Sequence, residues 1–379
     1  MSGGSLLDPA PMTPGEYVSV EEQCRALLAT DQTLFVFQGE AIVALEAAAR
    51  GFGYRGTKAL NIVSGPYGAV FGNWLSEGGA QVEDLVTPFD RAVPVERVEA
   101  AFDALGPFDL VSVVHAEAAT GTVNDLPAIA RLARSNGALV VVDAVASVGA
   151  EPLEIDGWGL DLVVLSAQKA LAGPSGTTVV VASEAAWRRL GDHPAPPRGS
   201  VLSLLDWRDR WVATDRSSLP VIPAHLETRA LGEAVSRVAG EGLDNVVLRH
   251  RAASAAVRAG AAPLGLEPWV SEACDAAAVA TVLRAGEDQP RALVSASLAL
   301  SRGASVPISV APGPLAADAL RVNHTGRMAT LPVVALAVVS LAQGLRSLGK
   351  RPDLPGALMA AEGAWSDAYS AAMVPGTER

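Results

Sequence analysis

The sequence is poor in cysteine, aromatic residues and positive charge, and these shortages exclude several classes of protein. Its two cysteines, Cys24 and Cys274, fit no disulfide framework or zinc spacing, so we expect a reducing, cytoplasmic compartment and no metal. A net charge of −12 at pH 7, with no basic stripe, excludes nucleic acid as the expected partner. Apolar runs stop well short of membrane-spanning length, and residues 1–14 lack a signal-peptide pattern, so no membrane association is expected.

The chain is rich in aliphatic residues. Half of its 379 residues are hydrophobic but only 5% are aromatic, a composition that suits buried parallel strands. Apolar strands alternate with amphipathic helices, which predicts an α/β fold with a mostly parallel sheet. Strands are predicted at 34–37, 58–63, 81–85, 110–114, 138–142 and 162–165, an antiparallel neighbour at 178–181, and helices at 18–28, 42–49 and 125–135.

The pattern changes after Pro220. A long helical stretch at 224–258, broken near Gly240, is followed by weak strand patterns at 292–294 and 319–322 and a closing helix at 332–347. We predict an irregular N-terminal arm over 1–16, a large domain over 17–235 and a smaller α+β domain over 236–379.

Polar residues follow several of the predicted strands. Because ligands bind beyond the carboxyl ends of strands in open α/β sheets, these residues are expected to meet at one edge and form a single site. They are Gly39, Glu40, the segments 64–67 and 115–122, Asp143, Gln168 and Lys169.

Lys169 is the strongest candidate for a nucleophile. No other lysine or arginine occurs between Arg134 and Arg188, and small apolar residues flank it. Desolvation there would lower its pKa and free the amine for reaction with a carbonyl group. Asp143, which ends the apolar strand at 138–142, allows two interpretations: a helix cap, or the partner of a cationic ring nitrogen.

Four segments resemble one known family. The stretches 115–124, 141–149, 166–171 and 321–326 match, in the same order, the class V aminotransferases among the fold-type-I pyridoxal phosphate enzymes. The resemblance implies a fold-type-I aminotransferase that forms a Schiff base through Lys169. It also implies small amino acid and 2-oxo acid substrates and a homodimer or larger homo-oligomer whose sites are shared between subunits.

The resemblance assigns a role to each matching residue. Asp143 would pair with the pyridine nitrogen, so that the ring acts as an electron sink. Val145 and Tyr67 would pack on its two faces, although Tyr67 could also be an ordinary core aromatic. Gln168 would bond the ring hydroxyl, and Lys169 would carry the proton between the two exchanging carbons. The remaining assignments are a bidentate clamp on the substrate carboxylate for Arg321 and cofactor contacts for Gly39, Glu40, Ala41 and Thr120.

The phosphate-binding part of the family pattern is missing. Glu40 and Ile42 occupy the first strand-to-helix turn where the family has hydroxyl side chains, Ile222 replaces a threonine before proline, and Ala119 replaces a serine or threonine. At ~4 Å and an effective dielectric near 20, one like-charge pair costs on the order of 4 kcal/mol. That exceeds the ~0.3–1 kcal/mol offered by a helix dipole. Alternatively, Glu40 turns outward and only caps the helix.

Three functions are therefore considered. The first is transamination between free pyridoxamine and a small 2-oxo acid such as pyruvate, a reaction of vitamin B6 metabolism. The segments 39–46, 64–74 and 203–211 resemble the members of the family that use this unphosphorylated substrate. Their second carboxylate-binding arginine is Pro312 here, and nearby Arg302 could replace it. The alternatives are a conventional pyridoxal-phosphate-dependent alanine or serine–glyoxylate aminotransferase, and a sensor that binds pyridoxal without turnover.

Overall fold

The computed structural model describes residues 9–286, 289–299 and 305–372. The first part of the chain builds a central sheet with helices on both faces. Its strands are β1 (Thr33–Gln38), β2 (Lys58–Val63), β3 (Gln81–Val86), β4 (Leu110–Val114), β7 (Leu139–Asp143), β8 (Leu162–Ser166) and β9 (Thr177–Ala182), while β5 (Ala116–Glu117) and β6 (Thr122–Val123) form a separate two-stranded ribbon.

The central sheet has the order β1-β9-β8-β7-β4-β2-β3. The pairs from β3 through β8 are parallel, whereas β9 runs antiparallel to both β8 and β1. The predicted α/β class and the antiparallel neighbour at 178–181 are confirmed. Strands β4, β8 and β9 are buried along their whole length, which explains their uninterrupted apolar sequences.

The helices that cover this sheet follow the predicted alternation. They are α1 (Pro14–Leu28), α2 (Ala41–Phe52), α3 (Pro66–Gly78), α4 (Val95–Leu105), α5 (Leu126–Ser135), α6 (Glu184–Gly191) and α7 (Leu204–Trp207), which continues into a π-helical turn at Arg208–Val212. The irregular arm does not extend to Gly15, because Thr13 and Glu16 form a capping box and Pro14 begins a helix.

The second part of the chain has its own antiparallel sheet and hydrophobic core. The sheet order is β10-β11-β13-β12, from β10 (Glu267–Pro268), β11 (Thr281–Arg284), β12 (Ile308–Val310) and β13 (Ala319–Val322). The helices are α8 (His225–Glu241), α9 (Leu243–Ala261), α10 (Pro290–Ala299), α11 (Leu331–Ser347) and α12 (Leu354–Ala372), with short 3-10 turns at Ala262–Leu264, Gly313–Ala317 and Gly326–Met328.

Two predictions for this part are wrong. Residues 292–294 lie in α10, not in a strand; its buried residues, including Pro290, Leu293 and Ser297, recur at the helical spacing. The chain does not close on the helix at 331–347, since α12 follows, with Pro355 in its first turn where proline is tolerated.

The break predicted near Gly240 occurs at Gly242, where φ is +88°. The domain boundaries at 16 and 235 stay predictions. None of the helices in the described ranges is long and apolar enough to span a bilayer.

Candidate active site

A small cavity lies at the carboxyl edge of the central sheet, where Val114 of β4 and Asp143 of β7 are paired neighbours. Its volume is about 190 Å³, below the ~300–1,000 Å³ of pockets that hold drug-sized ligands, so it suits a single-ring molecule. It is lined by Glu40, Ala41, Ile42, Leu45, Tyr67, Val114, Ala116, Ala118, Asp143, Val145, Ala146, Gln168 and Lys169. The structure thus brings together most of the site residues predicted from strand ends.

Lys169 lies in the turn that follows β8 and is partly buried. Burial lowers the pKa of its amine, while Asp143 and Glu117 act in the opposite direction. Its Nζ lies 5.7 Å from the centroid of the Tyr67 ring. Lys169 is therefore not a solvated surface charge, and the lowered pKa increases the fraction of uncharged amine that can attack a carbonyl carbon.

Asp143 ends β7 and is buried at the cavity wall. Its Oδ1 accepts a hydrogen bond from Val145 N at 2.9 Å. Residues 144–147 contain turns and no α-helix, so the interpretation of Asp143 as a helix cap is wrong. Burial raises the pKa of the carboxyl, while the Lys169 ammonium lowers it. A cation in the cavity would stabilise the carboxylate form in the same way.

Glu40 caps helix α2 and also lines the cavity. Its Oε2 accepts from Ile42 N at 2.8 Å, and its Oε1 accepts from Gln168 Nε2 at 2.6 Å. Gln168 is held in turn by Ser166 Oγ, which donates to its Oε1 at 3.0 Å. The alternative that Glu40 turns outward and only caps the helix is wrong, because the carboxylate caps α2 and also lines the cavity. A backbone donor at the N-terminus of α2 is thereby already occupied by a negative charge.

Tyr67 stands in the first turn of α3 and its side chain is 42% exposed. The alternative that it is an ordinary core aromatic is therefore wrong. Burial of part of the ring and the carboxylates around it raise the pKa of its hydroxyl, so it stays protonated. Tyr67 and Val145 both line the cavity, which leaves space for a flat ring beside them.

Arg321 reaches the site region from β13 in the second sheet. Its Nη1 donates to Ala118 O at 3.1 Å and its Nε donates to Asn323 Oδ1 at 2.5 Å. Ala118 lines the cavity and Arg321 does not, so the guanidinium stands next to a wall residue, with its plane fixed by two hydrogen bonds. A cation at this place can hold a carboxylate.

Some predicted residues lie away from the cavity wall. The Gly39 carbonyl accepts from Thr178 Oγ1 at 2.8 Å, and the buried Thr120 Oγ1 shares a hydrogen bond of 2.8 Å with Thr122 Oγ1. Ile222 is 91% exposed. Arg302 lies outside the described residues.

The cavity also contains wall residues that the sequence did not predict: Leu45, Val114 and Ala146. Val114 ends β4, so its place at the end of a strand could have identified it. A larger cavity of about 940 Å³ beside α9 has His115, from the predicted segment 115–122, in its wall, but none of the residues to which the resemblance assigned a role.

Comparison with known proteins identifies the family. The family model described as aminotransferase class V matches residues 17–219, more than half of the chain. The chain belongs to the class V aminotransferases. It is accordingly a transaminase, of a family whose members depend on pyridoxal phosphate and have the fold-type-I architecture.

The similar aminotransferases differ in the substrates that their names state. The pyridoxamine–pyruvate transaminase of Mesorhizobium japonicum is 29% identical over 348 residues, which cover 91% of this chain and 87% of that protein. The serine–glyoxylate aminotransferase of Methylorubrum extorquens is 26% identical, covering 83% and 79%. The crystal structure of pyridoxamine–pyruvate aminotransferase from Mesorhizobium loti superposes with a TM-score of 0.87 at 27% identity, covering 93% and 89%.

The cavity residues can be compared with the two parts of pyridoxal phosphate, the ring and the phosphate. Asp143, Tyr67, Val145 and Lys169 provide an anion, two packing surfaces and an amine, which match a pyridine ring with an aldehyde. The phosphate would lie at the N-terminus of α2, where Glu40 already accepts from Ile42 N. The site therefore offers a ring an anion, an amine and packing surfaces, and it has a carboxylate at the N-terminus of α2.

Proposed function

We propose that this aminotransferase transfers an amino group between free pyridoxamine and a small 2-oxo acid, with pyruvate as the first candidate. The observation that carries the proposal is the Glu40 carboxylate at the N-terminus of α2, bonded to Ile42 N and Gln168 Nε2. A neutral hydroxymethyl group can donate a hydrogen bond to this carboxylate, whereas a phosphate dianion would be repelled. The similarity to pyridoxamine–pyruvate transaminase over most of the chain supports the same substrate.

Each charged residue has a task in this reaction. The pyridine ring, when bound, acts as a sink for the electron pair released at the reacting carbon. Asp143 holds the ring nitrogen in its charged form by ion pairing. Lys169, as a free amine, would bond to the aldehyde carbon with loss of water. Once the amino group of the substrate displaces it from that carbon, the freed amine would move a proton between the two carbons that exchange the amino group. Desolvation lowers the pKa of that amine and so increases its uncharged fraction.

Arg321 is proposed to hold the carboxylate of the oxo acid. We expect Arg321→Lys to raise the KM for pyruvate by about 10–100-fold, since an ammonium cannot reproduce a bidentate pair. The kcat should change less, because this contact forms in the bound substrate and in the transition state alike. Initial rates over a range of pyruvate concentrations measure both constants.

Arg284→Lys is the matched control. Arg284 lies in the same small sheet, on β11, but pairs with Asp90 at 3.3 Å, outside the cavity. It should leave the KM for pyruvate unchanged. An equal rise in both variants would assign the effect to the sheet and remove the proposed role of Arg321.

We further propose a homodimer whose subunits meet around the cavity mouth. Ile222, Tyr67 and Ile42 are large and exposed, with 91%, 42% and 37% of their surface accessible. Tyr67 and Ile42 also line the cavity, and contiguous exposed apolar patches are typical of protein interfaces. Light scattering of the purified protein should give at least twice the mass of one chain, and the mass of a single chain would contradict this part of the proposal.

The proposed function is tested by mixing the dialysed protein with pyridoxamine and a panel of 2-oxo acids and measuring pyridoxal by absorbance. Pyridoxal should form with pyruvate, and no phosphorylated ligand should remain on the protein.

A second candidate is a conventional pyridoxal-phosphate-dependent glyoxylate aminotransferase, favoured by the similarity to the serine–glyoxylate enzyme. Stoichiometric pyridoxal phosphate after dialysis, with activity on alanine or serine and glyoxylate, would replace the first candidate by the second. Family membership sets aside the sensor without turnover.

A further inference from the structure

Helix α3, which carries Tyr67, begins without a cap of its own. Its N-cap residue is Gly65, which has no side chain to accept from the first backbone donors. The acceptor comes instead from β5, fifty positions along the chain, where Glu117 Oε2 accepts from Tyr67 N at 3.0 Å. The nearby backbone N–H groups of Gly68 and Ala119 lower the pKa of this carboxyl group. Glu117 therefore fixes the start of α3 and the backbone of Tyr67 from a distance.

The space for this carboxyl group exists because residue 65 is glycine. A Cβ at Gly65 would overlap the Cγ and Cδ atoms of Glu117. Gly65 has φ of −177°, extended backbone that any residue adopts, so the glycine is required by space and not by conformation. The residues Gly65 and Glu117 thus form a matched pair, in which one leaves room for the other.

Glu117 also adds charge to the site. Its side chain is fully buried, and its Oε1 has no hydrogen-bond partner among the described residues. Burial, with the neighbouring Asp143 as a second cause, raises the pKa of the Glu117 carboxyl to about 7. Glu117 in turn raises the pKa of Lys169, which also faces Asp143, Glu40 and Arg321. A simple helix cap on the surface would have none of these neighbours.

We propose that Glu117 is a positioning residue of the amino-transfer site, which holds Tyr67 at the ring-binding cavity and sets the charge around Asp143 and Lys169. The proposal rests on the proposed function in one respect only, namely that Tyr67 and Lys169 face the pyridine ring. It holds equally for a phosphorylated ring. Glu117 itself does not line the cavity, so it acts through its neighbours.

Three variants separate the helix cap from the charge. Glu117→Ala removes both, and should lower the thermal midpoint and raise the KM for pyridoxamine about 10-fold. Glu117→Gln keeps a carbonyl acceptor for the helix but removes the charge. The double variant Gly65→Ser with Glu117→Ala replaces the distant cap by a local serine hydroxyl, which is a good N-cap, in the space that the glutamate leaves.

The readouts are the thermal midpoint of the ligand-free protein, the KM and kcat, and the pH profile of pyridoxal binding followed by absorbance. Loss of the negative charge should make Lys169 release its proton at lower pH. The acid limb of the pH profile should therefore shift to lower pH, by about 1 pH unit, in Glu117→Gln and in the double variant. The double variant should also recover the thermal midpoint of the wild-type protein without recovering its pH profile.

Two results would overturn the proposal. If the double variant recovers the wild-type rate and pH profile together with the thermal midpoint, Glu117 is a structural cap only. If Glu117→Gln leaves the pH profile unchanged, the charge of Glu117 does not affect the pKa of Lys169. This test remains available if the alanine variants fail to fold. The wild-type protein is first assayed with both pyridoxamine–pyruvate and pyridoxal phosphate–alanine–glyoxylate. Failure of the proposed function therefore appears in the wild type, and failure of this proposal only in the variants.

Discussion

Lys169→Ala should reduce the rate of amino transfer by at least about 10⁴-fold, because it removes a nucleophile and a proton carrier together. The amine lies in the cavity wall, partly buried, beside Asp143 and Tyr67. Neighbouring hydroxyl or phenol groups cannot replace it, since neither forms a Schiff base with an aldehyde. The measurement is the initial rate of pyridoxal formation from pyridoxamine and pyruvate.

The lysine content of the chain makes a direct test possible. The sequence has only three lysines, Lys58, Lys169 and Lys350. Borohydride reduction in the presence of pyridoxal, followed by peptide mass measurement, should modify Lys169 and leave the other two unchanged. The added mass also shows whether the trapped molecule carries a phosphate.

Lys350→Ala is the control for this prediction. Lys350 is exposed after α11, and its replacement should change neither the rate nor the trapped peptide. Retention of more than a few per cent of the wild-type rate in Lys169→Ala would remove Lys169 from the mechanism. Modification of Lys58 or Lys350 to the same extent as Lys169 would also argue against a specific role for Lys169 in the mechanism.

Glu40→Ser should change which form of the ring the protein prefers. We expect the affinity for pyridoxal phosphate relative to pyridoxal to rise by about 100-fold. A like-charge contact at ~4 Å costs about 4 kcal/mol at an effective dielectric of 20, and solvent screening at this partly exposed residue reduces that value. Serine is itself a good helix N-cap, so α2 keeps its first hydrogen bond and the charge alone is changed. Titration of both ligands by absorbance gives the ratio.

The control for this change is Glu46→Ser on the same helix. Glu46 pairs with Arg50 at 3.3 Å and does not line the cavity, so the ratio of affinities should stay at the wild-type value. An unchanged ratio in Glu40→Ser would mean that this carboxylate does not oppose phosphate, and the proposed substrate would lose its main support. A similar rise in both variants would indicate a long-range effect of net charge.

The fold and the polar edge of the sheet could be predicted because their causes are local. Strands such as β4 and β8 are buried on both faces and consist of continuous apolar residues. Lys169 and Asp143 stand directly after or at the end of such strands, and chain direction in a parallel sheet brings those ends to one edge. The strand β9 was predictable because it too is buried along its whole length and is mostly apolar.

Other features depend on contacts between distant residues, and the sequence carries no local pattern for them. The bond from Gln168 Nε2 to Glu40 Oε1 joins residues 128 positions apart, so the double role of Glu40 was not predictable. Glu117 occupies space left by Gly65, and neither residue reveals the other. The strand predicted at 292–294 failed because three adjacent apolar residues fit a strand or one face of a helix, and packing decided for the helix.

The hydrogen bond between Glu40 and Gln168 bears on how long a ligand stays. Under the proposed function, a hydroxymethyl group that enters the cavity would compete with a contact that the chain already makes with itself. The net gain on binding is smaller than the new bond alone, so dissociation is faster and the residence time is shorter. For a permanently held coenzyme this would be a weakness. For a molecule that must arrive as one compound and depart as another in every catalytic cycle, rapid exchange favours turnover.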